Sequence, residues 1–339
     1  MHDVSATTGH TVPIQRVQQI VALAMRRGWD VNALLAAAGI SADLLAEGRS
    51  RVTAAQLGSV IKGLWSATDD DLLGFGLSPV PRGAGHLLGH TMITAPDLGG
   101  MLRRGQAFQR AVPGFPPLAV TVDGDLARFT CDIRAVEDPI PLLIDTVLAI
   151  AHRFIGWAIG ERLPLRCVEV PYRRQPDIDD YDLIFGAPAT FGAARPGLVF
   201  DAKWLAAPIV RGADELDEYL RDSATRILTD AGCSTTLTEQ VRARMARDLG
   251  GEAARVEEIA TELAMSPQTL RRRLREEGTS AREIREEILR DAAIAGLVRG
   301  QETVQALSRR LGFSEPSTFS RAFRRWTGSP PGAYQHQNA

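Results

Sequence analysis

The sequence VQALSRRLGFSEPSTFSRAFRRWTGSPPGAY, residues 304–334, decides the fold of the C-terminal part of the chain. Its first helix is predicted from an apolar stripe at helical spacing, formed by Val304, Leu307 and Leu311. Gly312 permits the left-handed turn that ends this helix. Ser314 is placed to cap the next helix, where Pro316 is tolerated because amides of the first turn lack partners within the helix. Two short helices across a tight turn are therefore expected.

The second of these helices is predicted to have one apolar and one basic face. Phe319 and Phe323 are four residues apart and point inward together, with Trp326 just beyond them. The outward positions carry hydroxyl and guanidinium groups: Ser317, Ser320, Arg321, Arg324 and Arg325. A helix of this kind, held across a short turn, fits the major groove of DNA. Residues 304–326 are thus predicted to form a helix-turn-helix.

Residues 256–277 repeat this pattern less sharply. The apolar stripe of the leading helix is Val256, Ile259, Ala260 and Leu263. Ser266 caps the following helix, Pro267 takes its first position, and Leu270 and Leu274 face inward. The outward residues that can bind bases or phosphates are Gln268, Thr269, Arg271, Arg272 and Arg275. Alone, this face could be an ordinary solvated one, but a second copy nearby favours DNA binding.

A single helix is predicted between the two motifs. It begins at Ser280, with Glu283 placed for a capping box, and ends near Gly300. One apolar face continues along it through Ile284, Ile288, Ala292 and Ala295. About 20 residues at a rise of ~1.5 Å span roughly 30 Å. Because one turn of DNA is ~34 Å long, such a spacer can place two recognition helices in successive major grooves.

Residues 237–334 resemble the DNA-binding domain of the AraC/XylS family of bacterial transcription regulators. The resemblance rests on LGFSEPSTFSRAFRRWTGSPPGAY, with its Gly-Phe turn, its serine, its Phe-x-x-x-Phe helix and its closing Gly-x-x-Pro segment. It implies base-facing positions at Gln268, Arg271, Arg272, Pro316, Ser317, Ser320 and Arg321. Pro316 departs from the more usual polar residue, which leaves no base contact to assign to it. Arg321 is the strongest candidate of the set.

The first two-thirds of the chain predict an α+β unit. Helices are expected over residues 13–28, 31–38, 53–66, 98–110, from 139 onward and over 214–231, and strands over 166–170, 189–191 and 198–200. Alternation around Asp123-Gly124 predicts a β-hairpin. The expected organisation is an N-terminal sensor and oligomerisation domain (1–230), a linker (231–236) and an all-α DNA-binding domain (237–336). Thr236 with Glu239 is expected to cap the first helix of that last domain.

The N-terminal part is also similar to the arabinose-binding-type N-terminal domain of certain AraC-family regulators. The segment LVFDAKWLAAPI, residues 198–209, carries the resemblance, and its Leu198, Phe200, Leu205 and Pro208 are expected in the core. The resemblance implies an effector-binding or oligomerising role, without implying arabinose as the ligand. The candidate lining of an effector pocket is aromatic: Phe108, Phe115, Phe129 and Trp157. Aromatic residues at such spacing belong to a protein core more often than to a ligand pocket.

Charge separates the two parts of the chain. The whole sequence has a net charge of −2, but residues 237–339 carry 17 arginines against 14 carboxylates, a net +3, and the remainder carries −5. This asymmetry favours nucleic-acid binding at the C-terminal end. Three scattered cysteines and the absence of a charged n-region followed by an apolar run favour a reduced, cytoplasmic, nucleoid-associated protein. The most apolar stretch, 139–160, contains Asp145, His152 and Arg153 and is expected to be a buried helix.

Other functions were weighed from the residues. His86 and His90 would share a helix face, a geometry suited to a metal ligand pair, with His152 merely available as a third ligand. Packing or capping histidines are the favoured explanation of the pair, and a metal-binding or enzymatic N-terminal domain is kept as the alternative function. A DNA-repair methyl acceptor needs a cysteine cluster that the chain lacks.

The sequence thus predicts a non-enzymatic, sequence-specific transcription regulator. We expect it to need no cofactor or metal. Its expected partners are double-stranded promoter DNA, a small hydrophobic effector, RNA polymerase if it activates, and a second copy in a homodimer. No membrane contact is expected.

Overall fold

A computed structural model describes residues 11–73, 78–132, 141–175, 178, 181–226, 237–246 and 256–335. At positions 182, 183, 221–226 and 239 it describes the backbone alone. The predicted linker 231–236, which contains Cys233 and the predicted cap Thr236, lies outside the described residues.

The first two-thirds of the chain contain nine helices and seven strands among the described residues. The helices are α1 (Ile14–Arg26), α2 (Val31–Ala37), α3 (Ala42–Ala46), α4 (Ala54–Thr68), α5 (Ala84–Ile93), α6 (Leu98–Phe108), α7 (Pro141–Ile159), α8 (Tyr181–Phe185) and α9 (Ala213–Arg226). The strands are β1 (Thr11–Pro13), β2 (Arg51–Thr53), β3 (Leu118–Asp123), β4 (Leu126–Cys131), β5 (Leu165–Val170), β6 (Ala189–Phe191) and β7 (Gly197–Asp201). A short 3-10 helix, Ala202–Ala206, follows β7.

The C-terminal third is helical throughout its described part. Its helices are α10 (Leu237–Ala246), α11 (Val256–Glu262), α12 (Pro267–Glu276), α13 (Ala281–Arg299), α14 (Val304–Arg310) and α15 (Pro316–Thr327), followed by a 3-10 helix at Pro331–Tyr334. The α+β architecture followed by two helix-turn-helix motifs is confirmed.

Five strands form the main sheet in the order β3-β4-β7-β5-β6. β3 and β4 make the predicted hairpin, in which Asp123 pairs with Leu126 and Gly124 adopts a left-handed φ of 55°. β5 runs parallel to β6, and the other neighbours are antiparallel. Leu198 and Phe200 are fully buried in β7, as expected. Leu205 is only partly buried and Pro208 is exposed, so the core position predicted for Pro208 is wrong.

Two compact units are present, and they divide the chain differently from the predicted boundary at residue 230. The C-terminal unit contains residues 11–15, 39–56 and 237–335 of the described chain, and the N-terminal unit contains residues 16–38 and 57–226. The segment 39–56 was predicted as part of the N-terminal domain. Its apolar residues complete a core that is otherwise built by the C-terminal helices.

The N-terminal unit is built around α7, the one described helix long and apolar enough to cross a membrane by length and composition. Ten of its residues are buried, including Asp145 and His152. Asp145 accepts a 2.7 Å bond from Arg16 Nη1, and both side chains are fully buried. Tyr172 donates its hydroxyl to Asp145, and burial, together with that carboxylate, raises the pKa of Tyr172 well above its usual range. These features identify α7 as a core helix.

The helices of the C-terminal unit enclose two separate hydrophobic cores. The first core joins α10, α11 and α12 to the first half of α13, through Val241, Ile259, Leu270, Leu274, Ile284 and Ile288. The second core joins α14 and α15 to the second half of α13, through Ala292, Ala293, Leu297, Leu307, Phe319 and Phe323. Ala295, predicted on the buried stripe, is half-buried, because the helix changes its buried face between the two cores.

The N-terminal segments pack into the second core. Leu44 of α3 is 3% exposed and belongs to that core. Thr11 donates its hydroxyl to Asp291 of α13 over 2.5 Å, and Arg51 Nε donates to the Thr11 oxygen over 2.8 Å. The backbone N–H of Arg51 donates to the Tyr334 hydroxyl over 3.1 Å. Residues 11–15 and 39–56 are therefore structural parts of the second helix-turn-helix.

The two helix-turn-helix turns contain equivalent left-handed residues. Gly312, between α14 and α15, has a φ of 81°, and Ala264, between α11 and α12, has a φ of 52°. The left-handed conformation costs alanine about 1–2 kcal/mol of conformational free energy, whereas glycine adopts it without this cost. No atom lies within 4 Å of the position that a Cβ on Gly312 would take. A side chain at Gly312 would therefore meet no steric clash, and its cost would come from the backbone conformation.

The Leu44→Ala substitution is expected to destabilise the second core by about 2–5 kcal/mol, because it removes a fully buried leucine. Hydrogen exchange of the full-length protein should show lost protection in α14 and α15 and little change in α11 and α12. The control is Met25→Ala, whose side chain is 69% exposed. Equal loss of protection in both helix-turn-helix motifs would contradict the assignment of Leu44 to the second core.

Substitutions at the two turns should have opposite effects. Gly312→Ala is expected to destabilise α14 and α15 by about 1 kcal/mol, and Ala264→Gly to stabilise α11 and α12 by about 0.5 kcal/mol. Hydrogen exchange of these helices in the full-length variants measures both changes. A loss of stability in both variants would show that side-chain packing, and not backbone strain, dominates at the turns.

Candidate nucleic-acid interface

α12 is fixed by its buried face and its N-terminal cap. Leu270 and Leu274 are fully buried in the first core. Ser266 is the N-cap, as predicted, and its hydroxyl accepts the N–H of Thr269 over 3.1 Å. Pro267 occupies the first turn, where its missing N–H costs no hydrogen bond. The helix can rotate little about its axis without exposing the two leucines, so its outward face is defined.

That outward face contains the predicted side chains. Gln268, Arg271, Arg272 and Arg275 follow the i, i+3, i+4, i+7 spacing of one helix face, and all four are exposed. Thr269 is partly buried, and its hydroxyl lies 2.8 Å from the Ser266 hydroxyl in the cap. Arg273, the further basic residue of this helix, is exposed too.

Two of these arginines form surface ion pairs. Arg271 Nη2 lies 3.1 Å from Glu257 of α11, and Arg272 Nη1 lies 2.6 Å from Glu276 one turn ahead. All four side chains are more than half exposed, so each pair contributes at most about 1 kcal/mol. Within the described residues Arg275 has no such pair. The guanidinium groups are therefore available to a competing phosphate or base.

α15 repeats the arrangement of α12 with a constant offset of 49 residues. Leu270 and Leu274 correspond to Phe319 and Phe323, both fully buried. The exposed face Gln268, Arg271, Arg272 and Arg275 corresponds to Ser317, Ser320, Arg321 and Arg324, of which Ser320 is partly buried and the others are exposed. Pro267 corresponds to Pro316, at the start of both helices. The two recognition helices thus present the same register of positions.

The cap of α15 differs from the prediction. Glu315, and not Ser314, is the N-cap, and its side chain makes no capping hydrogen bond. The reason is Pro316, because the residue before a proline is driven out of the helical region and so becomes the last extended residue. The carboxylate of Glu315 instead accepts the hydroxyl of Ser317 over 3.2 Å.

The arginines of α15, like those of α12, make only weak contacts with neighbouring side chains. Arg325 Nη2 lies 3.4 Å from Glu286 of α13, and Arg321 Nη2 lies 3.5 Å from the hydroxyl of Thr318. Arg324 has no ion pair within the part of the chain that the structure describes. A set of exposed, weakly paired guanidinium groups is what a phosphate-binding surface requires.

α13 spaces the two motifs. Its 19 residues extend over about 28 Å, from the N-cap Ser280, which accepts the N–H of Glu283, to the left-handed Gly300. Ser280 also donates its hydroxyl to the Glu283 carboxylate over 2.8 Å. Gly296 lets α14 approach closely, because a Cβ there would lie 2.8 Å from Leu307 Cδ1. No sequence pattern predicted this close contact between α13 and α14.

The four aromatic candidates for an effector pocket make different contacts. Phe108 and Phe115 form an edge-to-face pair at 6.1 Å, and Phe115 packs beside Leu72 and Val80. Trp157 stacks on Phe154 and Tyr219. Phe129 is 4% exposed in β4. Each of the four therefore has the packing contacts or the burial of a core residue.

A small apolar cavity lies elsewhere in the N-terminal unit. The volume open to the centre of a water-sized sphere is about 10 Å³. The residues that line the cavity are Leu72, Pro116, Cys131, Leu143, Ile144, Val147, Leu148 and Pro196. Burial raises the pKa of the Cys131 thiol to about 12, so this wall stays uncharged. A space of this size holds about one water and no drug-sized molecule.

The fold separates His152 from the other two histidines considered as metal ligands. His152 Nε2 lies 2.8 Å from the Leu163 carbonyl, and burial lowers the pKa of His152 to about 4, so it is a neutral core residue. His86 and His90 share a face of α5, as predicted, with ring centroids 4.9 Å apart. Their third neighbour is Asp217 of α9, which no sequence pattern indicated.

Comparison with known proteins agrees with this geometry. Residues 28–209 match the family described as the arabinose-binding domain of AraC transcription regulators, N-terminal, and residues 259–337 match a helix-turn-helix domain family. The chain is 23% identical over 337 residues to the ornithine utilization regulator of Pseudomonas aeruginosa, covering 97% of each protein. It is 28% identical over 227 residues to the HTH-type transcriptional regulator VirS of Mycobacterium tuberculosis, covering 65% of this chain and 66% of that one.

A solved structure similar to the chain is the transcriptional regulator CdpR from Pseudomonas aeruginosa, with a TM-score of 0.31, 23% identity, and coverage of 89% of this chain and 95% of that one. The first family match alone spans more than half of the chain. The chain therefore belongs to the AraC family of DNA-binding transcription regulators, with an arabinose-binding-type N-terminal domain and a C-terminal helix-turn-helix domain.

Proposed function

We propose that α12 and α15 enter two successive major grooves on one side of promoter DNA, and that the N-terminal unit adjusts this binding in response to a small-molecule effector. The observation that carries the proposal is the repeated face of the two helices. Each presents four polar or basic side chains in the same register, opposite a pair of fully buried apolar residues. A recognition helix in a helix-turn-helix protein has this arrangement.

We assign two roles to the side chains of these faces. Base contacts are assigned to Gln268, Arg271, Arg272, Ser317, Ser320 and Arg321. Phosphate contacts are assigned to Thr269, Arg275, Arg324 and Arg325. Arginine pairs with guanine O6 and N7 through two hydrogen bonds, and glutamine pairs with adenine in the same way. Serine is less selective, so α12 should contribute more of the sequence specificity per contact than the serines of α15.

The existing ion pairs oppose binding only weakly. Arg271, Arg272 and Arg325 each pair with a carboxylate that is at least one-third exposed, and such pairs contribute at most about 1 kcal/mol. A charge-assisted bond to a phosphate or a bidentate bond to guanine is stronger. The carboxylates also hold the guanidinium groups near the outward face before DNA arrives, which reduces the entropy lost on binding.

The effector part of the proposal rests on the family of the N-terminal domain. An effector changes DNA binding only if it binds two arrangements of the protein with unequal affinity. The apolar cavity beside α7 would have to enlarge before it could hold such a molecule, and its lining suits a hydrophobic one. A homodimer would pair half-sites on the promoter, and RNA polymerase would be the partner of an activator.

Three arginine variants test the assigned roles. Arg321→Ala should lower specific affinity by about 1–3 kcal/mol and relax the preference at one base pair. Arg324→Ala should weaken binding to all sequences alike and reduce the slope of log affinity against log salt by about 1. Arg195→Ala removes the same charge from an exposed position of the N-terminal unit and serves as the control. Selection of binding sites from random DNA, followed by titration at several salt concentrations, measures all three.

The same selection tests the two-groove arrangement. Arg272→Ala should relax the preference at a base pair about 10 bp from the one affected by Arg321→Ala, since successive major grooves are one helical turn apart. Relaxation at adjacent base pairs would contradict the two-groove arrangement. Unchanged selection by both variants would contradict base contacts at these positions altogether.

A further inference from the structure

The N-terminal unit contains a cluster of metal-binding side chains that DNA binding does not use. His86 and His90 lie one turn apart on α5, and Asp217 lies on α9, 127 residues further along the chain than His90. The three ligand atoms all lie within 4.8 Å of one another. We propose that this cluster binds one divalent transition-metal ion of the zinc type and thereby clips α9 onto α5.

The distances suit tetrahedral coordination. Asp217 Oδ1 lies 2.9 Å from His90 Nε2 and 3.3 Å from His86 Nε2. In a tetrahedral zinc site, metal–nitrogen and metal–oxygen distances of about 2.0–2.2 Å place neighbouring ligand atoms about 3.3 Å apart. Both Asp–His edges are therefore close to the required length. The ligand atoms of His86 and His90 lie within 4.8 Å of each other, and side chains this exposed can adjust the three edges by small χ rotations.

The chemistry of the donors selects the kind of metal. Two imidazoles and one carboxylate suit zinc, cobalt, nickel, copper or iron, whereas calcium and magnesium prefer oxygen ligands throughout. Asp217, His86 and His90 are 52%, 47% and 33% exposed, so the ion can enter from solvent and a water molecule can complete the fourth position. The site would thus have three protein ligands and one open position.

The charge around the cluster also favours a cation. α9 begins with Asp214 and Glu215, and Glu218 follows Asp217 directly. Arg211 neutralises Glu215 through a 2.8 Å ion pair, whereas Glu218 follows Asp217 by one residue and so lies on a different side of the helix from the ligand. Asp214 precedes Asp217 by three residues and therefore lies on the same side of the helix.

Packing beneath the cluster already holds α5 against α9. A Cβ on Gly89 would lie 3.3 Å from Leu216 Cδ2, so the two helices are in close contact at the residues beside the ligands. Leu216 is fully buried, and Tyr219 stacks on Trp157 at 4.7 Å. The ligands are thus presented by helices that are fixed before the metal binds, which lowers the entropic cost of forming the site.

Metal titration of the full-length protein, prepared without a polyhistidine tag and treated with chelator, tests the proposal. Isothermal titration with Zn²⁺ and the visible absorption of bound Co²⁺ should both show one equivalent in a tetrahedral environment. His86→Ala, His90→Ala and Asp217→Asn should each weaken binding by at least about tenfold. The matched control Glu218→Gln changes the neighbouring exposed carboxylate on the same helix and should bind as the parent does.

A second readout separates binding from misfolding. Zn²⁺ should raise the melting temperature of the parent and of Glu218→Gln but not of Asp217→Asn, because only a ligand bound to the folded state stabilises it. All three ligand side chains are solvent-accessible, so the substitutions should leave the melting temperature without metal nearly unchanged. Absence of binding in the parent, or full binding in the His86→Ala/His90→Ala double variant, would overturn the proposal.

Discussion

The C-terminal helix-turn-helix unit depends on one constraint: α13 must fill two cores at once. Its first half presents Ile284 and Ile288 to the α11–α12 motif, and its second half presents Ala292, Ala293 and Leu297 to the α14–α15 motif. An interior packs at crystal-like density, so neither motif can slide along the helix without opening a void. The orientation of each recognition helix is therefore fixed relative to α13, and only bending of that helix can change the spacing. A 19-residue helix with buried residues along most of its length resists such bending.

The two helix-turn-helix motifs have the same register of buried and exposed positions, but their buried side chains are of different types. The first core is aliphatic, with Leu270 and Leu274 where the second has Phe319 and Phe323. The larger side chains of the second core need additional residues to bury them. Tyr334, whose ring centroid lies 5.2 Å from that of Phe323, and Leu44 of the N-terminal segment provide this burial. This difference explains why the second motif is the sharper one in the sequence. Aromatic residues at i, i+4 mark a buried face more clearly than leucines in an arginine-rich helix do.

Short sequence patterns predicted most of the features that depend on residues close together in the chain. The inward pairs of α12 and α15, the cap at Ser266, the left-handed Gly312 and the hairpin at Gly124 follow from spacing and backbone chemistry within a few residues. The contacts that were missed join distant parts of the chain. Leu44 in the second core and Asp217 beside His90 have no sequence signal, because their neighbours lie far away along the chain. The cap of α15 was missed for a local reason, since the effect of Pro316 on Glu315 outweighs the capping preference of Ser314.

The positive charge of the proposed DNA-binding surface comes from the positions of arginines on two helix faces and not from the net charge of the chain. The chain carries −2 overall, yet the exposed faces of α12 and α15 are arginine-rich. The carboxylates nearest these arginines, Glu257, Glu276 and Glu286, lie on or beside the same helices, at distances of 2.6–3.4 Å. Without DNA they neutralise the arginines locally, which limits the attraction to any polyanion at long range. In the proposed complex, phosphates compete for the same guanidinium groups, and a duplex that also satisfies the proposed base-facing positions gains more from displacing the carboxylates than a duplex that offers phosphates alone. The acidic partners thus work against non-specific binding more than against specific binding.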